Sequence, residues 1–235
     1  PVLHRQGVVA RVHTHAQVHD VVLPYTVGAL SGGTCDWLGA NGLAVCYLRP
    51  IAFCGYGTLG VSSLGNPGDV AIMSWPWGSY LGEEGLRNGI RAKVSSWQRI
   101  GPNVIPHVAK ATGVYLNSML AVAEANRAGY EEAILLTQDG YIADGSGENI
   151  FVVKDGVIYT PDLSASILPV ITRDSIIQIA QDLGHRVVEK QLIRTDLHHA
   201  AEVCMCGTAA EVTPIREVDY HVNAPPGQVT FEIQG

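Results

Sequence analysis

No stretch of this 235-residue chain is apolar for the length of a membrane span, and its first residues lack the pattern of a secretory signal. Both absences point to a soluble protein, expected in the cytoplasm. Basic residues are outnumbered, 15 Lys and Arg against 22 Asp and Glu, giving a net charge of −7. Gripping nucleic acid needs the opposite balance, so neither nucleic acid nor membrane is expected as a partner. Internal repeats and low-complexity tracts are also missing. The five cysteines, Cys35, Cys46, Cys54, Cys204 and Cys206, form an odd set without paired metal-ligand spacing. Cys204 and Cys206 would share one face of a strand, where thiols serve more often as small buried apolar groups than as a redox or metal centre. His13, His15 and His19 lie close together, but no acid or cysteine partner stands at a fixed spacing, so no metal is expected.

What is present is apolar material. Hydrophobic residues make up 47% of the chain, enough for a full core in one large domain or two modest ones. Short β-rich runs occupy Leu43–Leu48 and Val70–Trp75, with a glycine-rich loop from Gly55 to Gly68 between them. Pro102 and Pro106 frame a connector. Beyond it, Tyr115–Ala128 reads as a helix with Leu116, Met119, Leu120 and Ala123 on its apolar face. Ala133–Thr137, Tyr141–Ala143, Ile150–Lys154 and Val157–Thr160 read as strands, and Asp155-Gly156 is a two-residue hairpin signal. Thr172–Leu183 is the best-marked helix. Thr172 can cap it, Asp174 suits the positive first turn, Ile176, Ile177, Ile179, Ala180 and Leu183 form a buried stripe, and Gly184 ends it. Gly28–Gly42, with five glycines, reads poorly as any regular element. The order of elements predicts an α+β chain with its connector near residue 105.

Several segments carry reactive or anion-binding groups: Lys110-Ala-Thr-Gly-Val-Tyr115-Leu-Asn-Ser, Asp144-Gly-Ser-Gly-Glu148-Asn-Ile-Phe151, Ile171-Thr172-Arg173-Asp174 and Gly207-Thr208-Ala-Ala-Glu211. A lysine and an aromatic hydroxyl five residues apart, an acid before a glycine pair, and two threonine-bearing turns make an unusual combination. It is similar to the pyridoxal-phosphate (PLP) site of fold-type IV aminotransferases, and most closely to branched-chain amino acid aminotransferases. PLP chemistry needs a lysine for the Schiff base and proton transfer, an acid facing the pyridine nitrogen, and N–H and hydroxyl donors for the phosphate.

The resemblance implies roles residue by residue. Lys110 is the Schiff-base lysine and catalytic residue, and Tyr115 meets the cofactor's phenolic oxygen. Asp144 stands where the family usually has glutamate and faces the ring nitrogen, one methylene shorter. Glu148 matches a second glutamate behind the ring. Ile171, Thr172, Thr208 and Arg11 serve the phosphate, and Leu168 completes the cofactor set. Arg11 lies 38 residues before Arg49, the separation of the corresponding family arginines. Val170 stands where the family generally has glycine. Tyr47, Arg49, Trp77 and Tyr80, with Gly147 and Ala209, handle the substrate. Arg49 would receive the distal carboxylate of glutamate, while Trp77 and Tyr80 wall an apolar pocket.

The implied fold is a small N-terminal α/β domain, residues 1–104, and a larger domain with a β-barrel-like core, residues 105–235. In the family the region holding Gly28–Gly42 is helical. The family also carries residues before Pro1 and usually beyond Gly235, so an internal fragment is expected. The implied reaction moves the amino group of L-leucine, isoleucine or valine to 2-oxoglutarate, with a homodimer or higher assembly expected. D-amino acid aminotransferase, (R)-amine transaminase and aminodeoxychorismate lyase share the fold and remain alternatives, as does a PLP-fold module impaired in catalysis by Asp144 and Val170.

Overall fold

A computed structural model describes residues 16, 21–43, 46–78, 80–222 and 226–235. Arg11, His13, His15 and His19 lie outside the described residues. The chain forms two compact units that divide between Gly78 and Ser79.

The first unit pairs helix α1 (Val27–Ala40) with an antiparallel hairpin of β1 (Tyr47–Cys54) and β2 (Gly68–Trp75). The glycine-rich Gly28–Gly42 segment is thus helical, correcting the reading from residue propensity. Glycines cost a helix interior about 1 kcal/mol each. Here Thr26 offsets part of that by accepting the Ala29 N–H at 3.1 Å, and Leu30, Thr34 and Leu38 bury a stripe at i, i+4 and i+8. Gly42 follows at φ +61°. The first strand also starts later than Leu43 and runs through Pro50. A two-stranded sheet has only edge strands, where the missing N–H of proline is tolerated.

In the second unit, α2 (Gly82–Asn88) precedes β3 (Ile90–Gln98), and α3 (Tyr115–Arg127) precedes β4 (Glu132–Leu136) and β5 (Ile142–Gly145). Then come β6 (Asn149–Lys154), β7 (Val157–Thr160), α4 (Ile171–Asp182), β8 (Arg186–Glu189) and α5 (Arg194–His198). The chain ends with β9 (Glu202–Gly207), β10 (Glu211–Val218), β11 (His221–Val222) and α6 (Gln228–Gln234). The strands form one sheet in the order β5-β4-β3-β10-β9-β6-β7-β8, with β11 on β10. Because β3 lies at the centre of this sheet, the connector expected near residue 105 falls inside the second unit. A three-residue turn brings β6 back beside β5, and Gly145 N–H donates to Glu148 C=O at 2.7 Å. The sheet therefore curls until strands at opposite ends of a six-strand path meet.

Alternation explains why both faces are apolar. Ile150, Val152, Val203, Met205 and Ile134 point into one core with Ile90, Val94, Leu192 and Ile215. Phe151, Val153, Cys204 and Cys206 point to the other face, covered by Ile176 and Ala180 of α4 and Ile233 of α6. Ala133 and Leu135 meet Ala121 and Ala125 of α3. A sheet covered on both faces buries every residue of a strand. Cys204 and Cys206 are packing groups as expected, and burial pushes the Cys204 thiol up to about 12. The hairpin at Asp155-Gly156 has both residues at positive φ, 52° and 73°, as a two-residue turn of this kind demands.

Two helix faces differ from the sequence reading. In α3 the buried residues are Ser118, Ala121 and Ala125, while Leu116 and Met119 are 64% and 63% exposed and Leu120 is also exposed. Small side chains let α3 lie close against β4 and β3, and this turns the larger ones outward. In α4, Ile176 and Ala180 are buried and Ile177 packs beside them, but Ile179 and Leu183 are exposed. Arg173 takes part of the buried face instead, donating to Pro161 C=O at 3.0 Å and pairing with Glu189 at 2.6 Å.

Candidate active site

Beside the point where β5 and β6 meet lies a cleft that opens to solvent. Lys110, Tyr115, Asp144, Gly147, Glu148 and Leu168 line it, together with Arg99, His107, Asn149 and Val170. Six residues singled out by sequence, from Lys110 to Leu168, thus converge.

Each is placed by a different element. Lys110 ends the irregular segment after β3 and is exposed, its ammonium 5.4 Å from the centre of the Tyr115 ring. Tyr115 opens α3. Asp144 is near the end of β5, buried, and its Oδ1 accepts from Arg99 Nε at 2.7 Å. A second Arg99 nitrogen, Nη2, also contacts that oxygen and donates to Gly145 C=O at 2.5 Å. Arg99 Nη1 reaches Ser118 Oγ of α3 at 3.3 Å. Burial raises the Asp144 carboxyl above its ordinary value, and the Arg99 guanidinium opposes that rise. Glu148 accepts the Gly147 N–H at 3.0 Å, and burial beside Glu132 pushes its carboxyl to about 8.

The far end of the cleft is built by the start of α4. Val170 occupies the N-cap position and no side chain caps the helix. Thr172 is therefore not the cap: it lies inside the first turn, and its buried Oγ1 has no hydrogen-bond partner. Asn149 presents the same feature. Its Nδ2 donates to Leu168 C=O at 3.2 Å, while its Oδ1 is buried and unpartnered. His107 Nδ1 is likewise buried without a partner, and burial lowers the His107 pKa, keeping the ring neutral. Unpaired buried polar atoms are costly and cluster where a ligand completes them. An uncapped helix start with a waiting hydroxyl suits an anion, a lysine at the mouth suits a carbonyl, and a buried acid suits a ring nitrogen. These residues fit a phosphorylated pyridine aldehyde.

Other expected residues lie apart from this lining. Ile171 and Thr172 follow Val170 in α4 without lining the cleft themselves. Thr208 and Ala209 lie in the turn between β9 and β10, Thr208 exposed, although Gly207 just before them backs onto Gly147, whose carbonyl oxygen lies 3.5 Å from its Cβ position. In the first unit, Tyr47 accepts from Arg49 Nη2 at 2.9 Å, and its ring lies 5.0 Å from Trp77 and 5.1 Å from Trp75. Tyr80 is exposed in the turn before α2. Arg99, His107 and the orphaned Asn149 oxygen were not anticipated. Asn149 stood in plain view after Glu148; Arg99, just past the end of β3, carried no comparable signal.

Comparison with known proteins gives the family. A model of the amino-transferase class IV family matches residues 9–218. The branched-chain-amino-acid aminotransferase of Escherichia coli K12 is 48% identical over 210 residues, which span 89% of this chain and 68% of that protein. The crystal structure of an Escherichia coli branched-chain amino acid aminotransferase superposes with a TM-score of 0.96 at 45% identity, covering 98% of this chain and 77% of its own. The branched-chain amino acid aminotransferase of Thermobaculum terrenum, in its PLP-form, gives a TM-score of 0.91 at 33% identity, over 98% and 75% of the two chains. The fold-type IV, α+β expectation is borne out. This chain belongs to the class IV amino-transferase family.

Proposed function

We propose that the chain is a PLP-dependent branched-chain amino acid aminotransferase, moving the amino group of L-leucine, isoleucine or valine to 2-oxoglutarate. The observation that carries this reading is the convergence of Lys110, Tyr115 and Asp144 on one cleft closed by the uncapped start of α4. The identity to branched-chain enzymes supports the substrate class.

Lys110, Tyr115, Asp144, Glu148 and Leu168 hold the cofactor from the cleft walls, and Ile171, Thr172, Thr208 and Arg11 are assigned to its phosphate. When bound, PLP supplies an electron sink for the substrate's α-carbon. Lys110 anchors the aldehyde carbon and, once displaced, carries the proton between two carbons; its place at the exposed mouth gives its amine room to do both. The Tyr115 hydroxyl orients the phenolic edge. Asp144 holds negative charge toward the ring nitrogen, steadied by Arg99. Neutral His107 and the buried Asn149 amide keep the pocket polar without adding charge.

Substrate recognition is assigned to Tyr47, Arg49, Trp77, Tyr80, Gly147 and Ala209. The Tyr47–Trp77 cluster offers apolar area, and Arg49 offers one cation. Leucine needs the first and glutamate needs both. Leu116 and Met119 on the outer face of α3 support a homodimer or higher homo-oligomer. Among the described residues no helix is long and apolar enough to cross a membrane, and we assign the protein to the cytoplasm.

The test is glutamate formation from L-leucine and 2-oxoglutarate in the presence of PLP. Glutamate release with L-leucine and none with D-alanine supports the assignment. Preference for D-alanine or an (R)-amine overturns the substrate class.

A further inference from the structure

Behind the cleft wall lies a second carboxyl that the proposed chemistry leaves without a task. Glu132 begins β4, is 0% exposed, and sits beside Glu148, which is 6% exposed. Glu132 Oε1 accepts the Ala133 N–H at 2.6 Å, whereas Oε2 is buried with no hydrogen-bond partner. Glu148 spends one oxygen, Oε2, on the Gly147 N–H at 3.0 Å. The packing around that oxygen is tight: a methyl group on Gly145 would lie 2.8 Å from it and 3.2 Å from Met205. Gly145 therefore backs closely onto the Glu148 carboxyl.

Charge counting sharpens the point. Three buried carboxyls, Glu132, Asp144 and Glu148, converge here, and among the described residues the buried guanidinium of Arg99 pairs with Asp144. Among the described residues, the Cys206 thiol of β9, itself held protonated by burial, and the Gly147 amide of the turn also face Glu148, while Ser146 faces Glu132. Arg173 of α4 faces Cys206 from the far side, and Lys110 lines the cleft beyond the turn. Burying three full negative charges in this volume is costly even with Arg99 on one of them. A proton on Glu148 is also the donor that Glu132 Oε2 lacks.

We propose that Glu132 and Glu148 share one proton and together position the turn from Asp144 to Glu148, leaving Asp144 as the only fully charged carboxylate at the cleft. Both act through the turn and neither acts on the reacting atoms. Burial raises both carboxyls; the Ala133 and Ser146 hydrogen bonds oppose the rise at Glu132, and at Glu148, where the charge of Glu132 adds to burial, the carboxyl is raised to about 8. Removing the shared proton sets two like charges against each other under Gly147 and loosens the wall that carries Asp144. The role in the turn rests on the aminotransferase reading; the shared proton does not.

The test uses the full chain, with Glu148→Gln and Glu132→Gln, in two measurements. Glutamine copies the protonated carboxyl, so Glu148→Gln keeps the fold of the turn without a titrating proton. In the first measurement, thermal midpoints without cofactor are followed from pH 5 to 9. A carboxyl raised on folding loses its contribution as pH rises from the unfolded value through about 8, so the wild-type midpoint falls along that range. The midpoint of Glu148→Gln, relative to wild type, should rise steadily over the same range. In the second, PLP affinity is read from the absorption of the bound cofactor. Wild-type affinity should fall by up to about tenfold per pH unit above the pair's titration. Glu148→Gln and Glu132→Gln should both flatten that limb, since each leaves at most one charge under Gly147. A constant midpoint difference between wild type and Glu148→Gln overturns the shared proton. An alkaline limb identical in wild type and Glu148→Gln overturns the positioning role. Absence of PLP binding by wild type at every pH refutes the aminotransferase reading and the positioning role together, while the midpoints still judge the proton.

Discussion

Lys110 and Asp144 face the same cleft, yet their surroundings differ in almost every respect. Asp144 lies near the end of a strand, buried, gripped by Arg99, with its turn tied down by Glu148. Lys110 lies at the end of an irregular segment, exposed, with its ammonium beside an aromatic ring. One wall fixes charge and the other presents a reactive amine. The contrast is what the chemistry asks for. A group that stabilises charge works best when it cannot reorganise, whereas a lysine that must bond to a cofactor, leave it and carry a proton needs freedom to move.

Substitutions can break this contrast in graded ways. The largest effect is expected for Lys110→Ala. Transamination should fall by at least about 10²–10⁴-fold, while stability, as for most exposed positions, stays within about 0.5 kcal/mol. Steady-state rates and urea unfolding of the same preparation check both halves. Arg99→Ala should do the reverse to the fold: it leaves Asp144 buried and unpaired, a loss of about 3–5 kcal/mol in urea unfolding. An Arg99→Ala protein as stable as wild type would show that the acid wall is not held by that pair.

Smaller effects sharpen the same division. Thr172→Val removes a buried hydroxyl that has no partner without cofactor. Cofactor-free stability should be unchanged or higher by about 1 kcal/mol, while PLP affinity falls about tenfold. Equilibrium dialysis alongside thermal melts distinguishes this sign reversal from general damage. Met119→Ala is expected to have the smallest effect, within about 0.5 kcal/mol for an isolated chain, because that side chain is exposed. A loss that grows with protein concentration would instead identify the outer face of α3 as a contact between copies.

The sequence carried the reactive residues well because their chemistry is written in local spacing. Lys110 and Tyr115, Asp144 and Glu148, and the start of α4 all lie within short segments whose residue types are rare in combination. Strand and hairpin positions were equally legible from Val157 to Thr160, where alternation and Asp155-Gly156 agree. Pairings across the sheet were not. Arg99 follows β3 and Asp144 lies near the end of β5, with β4 between them, so their contact depends on how the sheet curls. Glu132 reads as an ordinary charged residue before a strand until β4 is laid beside β5. Periodicity showed that α3 has an apolar face in Leu116, Met119 and Leu120. It did not show that the alanine face would win the sheet, because close approach rewards small side chains as much as burial rewards large ones. The glycine-rich α1 failed in the opposite sense: propensity is a weak prior, overridden there by one cap and a three-residue stripe.

The central claim is that Lys110 is the group through which this cleft holds PLP and passes on an amino group. Its most direct test is the visible absorption spectrum of the chain with PLP, before and after L-leucine, with Lys110→Ala in parallel. We predict a lysine-dependent band that L-leucine converts to the spectrum of the aminated cofactor and D-alanine leaves unchanged. A band that persists in Lys110→Ala, or one that L-leucine does not alter, would contradict the account.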